Sequence, residues 1–595
     1  MIYFQSKEYR IDLGSYKITF IESSNRFTNN LQKSYSLPLN ISFDDIVIEK
    51  LGLPDIDNIT TYLSSDKGIL YMDDRYFTAT LILGDISRKT IEITIYYGDE
   101  TLPVYDINLR DLPWPVIVNA DFSSFAKSML NKSWPEVTHN WPTVFRKEIS
   151  GEGDYDHFLG LVNNYSGNNF IENEIVNEDG QNIAKNYNVM CPFPYLLEIL
   201  RFGYQNEGKK VRGSVFENEK LKKTLYVPEN FIESFKGNTY DQDSFKIPTR
   251  NYVQGSVRFG VYQKSYVPTV EGSYKVDLKI NLPPAYTKYF KMEVFQEDAV
   301  SKDKTYFYNK SSTSGNRVII SDNVTINVDN NNVGDRIFVK LTLRYFTTSI
   351  EEYNSFEYKL SGGQLNTFPI SYSLASFLPD ISFGDFVNHL KNWLNLDISI
   401  EDEWVNINFL QETMMDIIPD RHNHLEDPNR VKKSNKNKIY KLTYEDTTSI
   451  LVSNTGQVFS DIDQKNKEVI EIEMPVKSLL VEQNKNIITG VYPDDRPELL
   501  FCLYDGLKAG RNPCVENISG SSLSLQDIYE EFWSVWIGIR TNNFTFEDTI
   551  IAHITEPISL KTFSYRYNEL HMIKEIKRTR IAQDYWEIDL ESETL

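Results

Sequence analysis

Apolar side chains recur with period two through much of this chain, the spacing that sends every second residue to one face of a pleated strand. Ile91-Glu92-Ile93-Thr94-Ile95-Tyr96-Tyr97 alternates in this way and stops at Gly98-Asp99. Phe77-Thr78-Ala79-Thr80-Leu81-Ile82-Leu83, ending at Gly84-Asp85, reads as its neighbour in a hairpin or meander. Tyr274–Ile280, Val324–Val328 and Ile337–Leu343 alternate as well, separated by Asn, Asp and Gly turns, and predict a small β-sandwich. Leu396–Ile400 and Trp404–Phe409 predict two short strands split by Glu401-Asp402-Glu403, and Tyr585–Leu590 predicts a strand near the end of the chain.

Helical spacing is confined to a few places. Pro192-Phe193-Pro194 opens a short helix, Tyr195–Phe202, closed by Gly203 or Gly208, and a strand-like Lys210–Phe216 follows. Ser382 caps a clearer one, with Asp385 three residues on and Phe386, Val387, Leu390, Trp393 and Leu394 forming one apolar stripe. Ser524 with Asp527 starts a second amphipathic helix carrying Leu525, Ile528, Phe532, Val535, Trp536 and Ile539. Between these two, Lys432–Lys441 reads as a polar, Lys-rich connection, a solvated loop rather than a contact for an acidic partner or nucleic acid. Leu112-Pro113-Trp114-Pro115 and Ser361-Gly362-Gly363 punctuate the chain, and Trp134-Pro135 and Trp141-Pro142 mark an extended loop. The expected fold is mainly β with α+β portions and several domains. An N-terminal β domain spans 1–115 and an α+β segment 116–255. A β-sandwich is inserted at 256–365, followed by a helix-plus-strands segment at 366–480 and a C-terminal α+β segment at 481–595.

Composition sharpens this picture in two ways. The 595 residues hold 84 Asp plus Glu against 62 Lys plus Arg, a net charge of −22, which argues against a sequence-independent grip on nucleic-acid phosphate over the whole surface. Aromatic residues make up 13% of the chain, which favours strands and also surfaces buried against partners. Cys191, Cys502 and Cys514 form no C-x-x-C, as in a protein assembled in a reducing cytoplasm, and Cys502 and Cys514 read as buried apolar residues. The first residues lack the basic and apolar regions of a signal peptide, and no run approaches the roughly 18 apolar residues of a membrane span.

Several clusters invite a chemical reading. Asp420-Arg421-His422-Asn423-His424-Leu425-Glu426-Asp427 offers imidazoles and carboxylates for a divalent metal or a nuclease-like site, against the plainer reading of a polar surface loop. Asp329-Asn330-Asn331-Asn332-Val333-Gly334 resembles the start of a calcium loop but has Lys340 where a bidentate Glu is required, so it reads as a turn. Gly151-Glu152-Gly153-Asp154-Tyr155-Asp156 is a carboxylate-rich turn, and Glu401, Asp402 and Glu403 are solvated charges at a hairpin. The Trp-Pro pairs and exposed tyrosines suit either sugar stacking or interface anchoring. There is no Walker loop, nucleophile elbow or dinucleotide fingerprint. No catalytic, cofactor-binding or metal residue is assigned.

Pro192–Leu197 through Gly208 to Gly213, then Pro379–Phe409, then Leu503-Tyr504-Asp505-Gly506 before the helix at Leu525–Ile539 and the terminal strands to Leu590, together resemble tail-tip or baseplate hub proteins of tailed bacteriophages. The resemblance implies a non-enzymatic virion protein with β-barrel-like hub domains, assembled in the host cytoplasm as a homotrimer with pseudo-sixfold symmetry. It implies contacts with tail-tube, spike and fibre or receptor-binding proteins, with DNA passing through the channel unbound, no cofactor and no stable membrane insertion. The alternatives are a carbohydrate-binding adhesin using the 256–365 sandwich, and a polysaccharide or peptidoglycan hydrolase with two facing carboxylates.

Overall fold

The computed structural model describes residues 1–27, 34–42, 45–52, 63–72, 75–87, 90–98, 102–119, 121–151, 158–178, 181–232, 240–268, 272–328, 332, 334–344, 354–360, 365–369, 371–401, 403–414, 419–421, 426–445, 452–453, 457–461, 463, 465–484, 487–493, 496–553, 558–582 and 585–595. The chain is mainly β, and among the described residues most buried apolar side chains fall into three cores.

The first core belongs to a fourteen-stranded sheet built from both ends of the chain. Across it run Arg10–Asp12, Tyr3–Gln5, Ser65–Met72, Arg75–Ile86, Ile91–Tyr97, Ser34–Ser36, Thr19–Ser23, Glu569–Ala582, Tyr585–Thr594, Phe544–His553 and Val431–Ser434 in that order. Thr19 sits opposite Thr579 and Phe20 opposite Arg578, so pairing crosses the boundaries read from the sequence at 115 and 481. Between Arg10–Asp12 and Thr19–Ser23, the outer two of the seven N-terminal strands, the chain has only Leu13–Ile18. Seven strands laid flat would separate those two by about 29 Å, whereas so short a connection reaches about 24 Å when fully extended. The sheet therefore curls like a barrel wall. Arg580 holds the connection in place, its backbone N–H extending the Thr19–Thr579 ladder to Ile18 O and its guanidinium donating to Gly14 O. Inside the curl, Phe4, Leu70, Leu81 and Ile95 share one core with Ile550, Ile576, Trp586 and Ile588.

The second core fills the middle of the chain. A seven-stranded sheet, including Val144–Ser150, Val476–Asn484, Leu499–Leu503 and Thr224–Tyr226, packs with helices Leu196–Asn206 and Phe383–Leu394. Ser382 Oγ accepts from Asp385 N at 3.0 Å, the cap expected from sequence, and Asn395 in the left-handed region ends that helix. Phe386, Val387, Leu390, Trp393 and Leu394 are all fully buried, and the Trp393 ring stacks on Phe501 at 5.0 Å. The third core lies in the insertion, whose strands run from Tyr240 to Leu360. A four-stranded and a five-stranded sheet face each other as a sandwich, Val276, Leu278 and Ile280 packing with Met292, Val294, Val339 and Leu341.

Local readings differ from the structure in four places. The first helix runs past Phe202 and Gly203 to Asn206 and is closed by Gly208, the second of the two glycines read as its stop, which turns at φ 71° with its N–H on Gln205 O, while Gly203 packs directly on the Phe383 ring. In Lys210–Phe216 only Lys210–Arg212 is a strand. Gly213 turns at φ 125°, with the Ile407 carbonyl against it, and Ser214–Phe216 forms a 3₁₀ turn. The Lys-rich connection is not a loop: Val431–Ser434 pairs with Phe544–His553, and Lys438–Tyr444 is the centre of a three-stranded sheet. The helix from Ser524 contains a π turn at Tyr529–Trp533 before it resumes at Ser534–Arg540.

Two measurable consequences follow from this packing. A Cβ at Gly203 would lie 2.2 Å from the Phe383 ring, so Gly203→Ala should cost about 1–3 kcal/mol by overpacking, read as a lower midpoint in thermal or urea unfolding. Phe383→Leu in the same chain should recover part of that loss. The second concerns pH. Burial depresses His139 to about 3 and His571 to about 4, the latter with help from the Arg566 charge. Both rings are fully buried and hydrogen-bonded, His139 to Tyr372 Oη and His571 to Ser592 Oγ. The unfolded chain takes up these protons near pH 6.5 while the folded one does not, so their contribution is complete above that pH and is lost on acidification towards pH 4. Stability at pH 5 should be lower than at pH 7 by about 2 kcal/mol per histidine, and replacing both by Gln should flatten that part of the profile.

Candidate interaction surface

The curled sheet buries one face, so its pleat sends alternate residues outward, and the register identifies them. Tyr3 lies opposite Tyr71, and Tyr71 opposite Tyr76. Their ring centroids are 4.9 Å apart in each pair, and the Arg10 guanidinium covers the Tyr3 ring at 3.7 Å. Tyr76 is 68% exposed and Ile69, on the same face, 46%. Lys67 also faces outward here, opposite Thr80. The row through Thr80 continues as Tyr96, Tyr35 and Ile21, with the two tyrosine rings 6.0 Å apart. It then passes to Lys577, Asp589 and Thr549, where the chemistry changes from aromatic to charged.

That charged end forms a shallow groove of about 390 Å³ lined by Asp427, Glu547, Glu575, Lys577, Asp589 and Glu591, among others. Lys577 pairs with Asp589 at 3.2 Å, Lys574 with Glu591 at 2.6 Å, and Lys433 with Glu547. Asp427 is fixed by accepting from Thr549 N at 3.2 Å and Asn429 N at 2.7 Å. One residue on from Glu547 the pleat turns inward. Asp548 is buried against Arg566, at 2.9 Å and 3.2 Å, and accepts from the Tyr567 hydroxyl at 2.8 Å. Burial, with the Asp548 carboxylate beside it, pushes the Tyr567 hydroxyl up to about 12.

The clusters singled out in the sequence lie elsewhere or serve local structure. Asp420 and Arg421 form a short strand beside Ser564 and Tyr565, and Glu426 accepts from Tyr567 N at 2.6 Å, while His422 and His424 lie outside the described residues. Glu403 pairs with Lys210 at 2.8 Å, which holds its carboxyl below the usual range, Glu401 lies 3.6 Å from Arg212, and Asp402 lies outside the described residues. Residues 152–157, 329–331 and 333 are outside them too. Asp335 N donates to Asn332 O, as a turn requires. Among the described residues no group of three or more His, Cys, Asp or Glu is arranged to hold a metal ion, and no helix is long and apolar enough to cross a membrane. The three cysteines are buried, and burial raises the Cys191 and Cys502 thiols.

Two sequence readings are corrected. Trp134 and Trp141 of the Trp-Pro pairs are buried in the central core, where the hydrophobic gain outweighs any surface role, so they stack no sugar. The lysines from 432 to 441 are largely engaged by their own chain: Lys432 lies 4.0 Å over the Phe544 ring and Lys441 pairs with Glu471 at 2.5 Å. Sequence reasoning missed the Tyr3–Tyr71–Tyr76 shelf. Its signal was present in Ile69-Leu70-Tyr71-Met72, an unbroken apolar run that makes both faces of a strand seek cover.

No protein family matches the chain, and no curated protein matches it by sequence. Among solved structures, a 43 kDa tail protein of prophage MuSo2 from Shewanella oneidensis shares a TM-score of 0.18 at 6% identity, over 56% of this chain and 98% of that one. Infectious bursal disease virus, Gx strain, gives 0.14 at 8% identity, over 25% of this chain and 37% of that one. Xylanase10C from Cellvibrio japonicus gives 0.12 at 11% identity, over 22% and 27%. The chain thus spans well under half of the virus and xylanase chains. Likenesses this slight carry no argument about function.

The two faces of the sheet should answer differently to mutation. Asp548→Ala leaves Arg566 buried and unpaired and should destabilise by about 3–5 kcal/mol. Glu547→Ala, its outward neighbour, should change stability by no more than about 0.5 kcal/mol, with chemical denaturation of the two variants providing the comparison.

Proposed function

We propose that this chain is a structural, non-enzymatic component of a phage particle, a tail-tip or baseplate hub. In this reading it assembles as a homotrimer around an axial channel and joins the tail tube to spike, fibre or receptor-binding proteins. The observation that supports it most is the outer face of the curled terminal sheet. Stacked tyrosines, an arginine lying on one of them, and exposed Ile69 form a rigid, half-apolar surface of the composition found at protein contacts. The sandwich has its own core, so it can decorate an assembly without taking part in its framework. The net charge of −22 suits a channel wall past which DNA slides, because each Lys or Arg contact to phosphate would add to binding.

Sedimentation velocity and electron micrographs of the full chain, alone and mixed with the tail-tube protein of the same phage, test the reading. Expected are a discrete oligomer with a central opening and its incorporation at the end of tubes. A monomer at micromolar concentration that never joins tubes overturns it. Retention of such a monomer on a glycan column would favour the adhesin instead.

A further inference from the structure

The outward face of the terminal sheet carries two patches of different chemistry, separated by Ile91–Tyr97, Ser34–Ser36 and Thr19–Ser23. At the tyrosine shelf the outward charges of the flanking strands are Arg10 and Lys67, together with Asp12, which lies opposite Tyr3 and accepts from Gly14 N at 2.8 Å, so that the cations are in excess. Arg10 lies on Tyr3 with its guanidinium near Met1 Sδ, and neither cation has a carboxylate partner among the described residues. In the groove the five carboxylates of Asp427, Glu547, Glu575, Asp589 and Glu591 exceed the three ammonium groups of Lys433, Lys574 and Lys577 that pair with some of them. Glu575 is partly exposed, and its side chain accepts only a 3.4 Å contact from Ser23 Oγ among the described residues.

We infer that the two patches are the two sides of one contact between copies of the chain. The Tyr3–Tyr71–Tyr76 shelf of one copy, with Arg10 and Lys67, seats against the Glu575–Asp589 groove of the next. This deepens the proposed function and rests on its reading of the chain as self-assembling. The shelf supplies what such a contact needs at its centre, rigid rings with little rotamer freedom to lose. The groove supplies the opposite charge that steers and orients the approach. Because different patches meet, each copy keeps one of each to offer, and the contact propagates into a ring or filament instead of ending at a pair.

Charge reversal on full-length protein tests this. Arg10→Glu with Lys67→Glu, and separately Glu575→Lys with Asp589→Lys, should each weaken self-association by about tenfold or more in sedimentation velocity. The chain carrying all four changes should return to within about threefold of the natural one. Tyr76→Ser, at a residue exposed in the single chain, should weaken association without changing the thermal melt, and melts of the charge variants confirm that each is folded. If the natural chain assembles and the charge variants assemble equally well, the contact lies elsewhere and this inference fails while the hub reading stands. If the pairs weaken association but the fourfold variant does not restore it, the patches do not face each other, and the inference again fails. A natural chain that stays monomeric overturns both readings.

Discussion

Everything in the terminal part of this protein follows from a connection that is too short for a flat sheet. Leu13–Ile18 must bring Arg10–Asp12 back to Thr19–Ser23 although five other strands separate them in the hydrogen-bonding order. Curling is the only way to meet both demands, and it decides which side chains are core and which are surface. Phe4, Leu70, Leu81 and Ile95 turn inward to meet Trp586 and Ile588, while Tyr3, Tyr71 and Tyr76 turn outward. A strand with apolar residues on both faces is thereby left with one face covered by its own chain and one not. The candidate surface is a by-product of closure.

The central body obeys a different constraint. Its loops run through the interior, where backbone polar groups need partners. A set of buried asparagines provides them. Asn163 donates to the carbonyls of Pro142 and Cys191 and accepts from Cys191 N, and Asn512 donates to the carbonyls of Trp141 and Asn163. Thr143 completes the group by donating to Asn163 O. Asn366, where the chain returns from the sandwich, is held by Asn186 Oδ1 and by Asn173 Nδ2. The insertion is thus rooted in a fully paired polar network, a less slippery foundation than an apolar contact because hydrogen bonds specify position as well as proximity.

Much of the architecture was legible in the sequence where a single periodicity ruled. Ile91–Tyr97 and Tyr274–Ile280 have one buried face and alternate cleanly, Ile337–Leu343 reads as a strand although both its faces are largely buried, and the helix at Phe383–Leu394 announces its cap and stripe. Elements governed by distant partners were not. Val431–Ser434 reads as a polar loop because an edge strand protected by lysines has no apolar face to display. For helix Leu196–Asn206 the sequence left two stops open, Gly203 and Gly208, because nothing local shows that Gly203 is there to make room for Phe383. The candidate surface was hidden for the same reason: Tyr3, Tyr71 and Tyr76 come together only through pairing. The histidines beside Asp420 drew attention by residue type alone, whereas of their described neighbours Asp420 and Arg421 pair as a strand and Glu426 and Asp427 accept from backbone N–H groups.

Pairing between Thr19 and Thr579, 560 positions apart, also has a meaning in time. On the ribosome the early strands emerge long before the segment that completes their wall, so Thr19–Ser23 waits with an open border until Glu569–Ala582 is made. The tyrosine shelf can form on those early strands, but the groove at Glu575 and Asp589 exists only once Glu569–Ala582 and Tyr585–Thr594 have paired, so half of the inferred contact is withheld from nascent or interrupted chains.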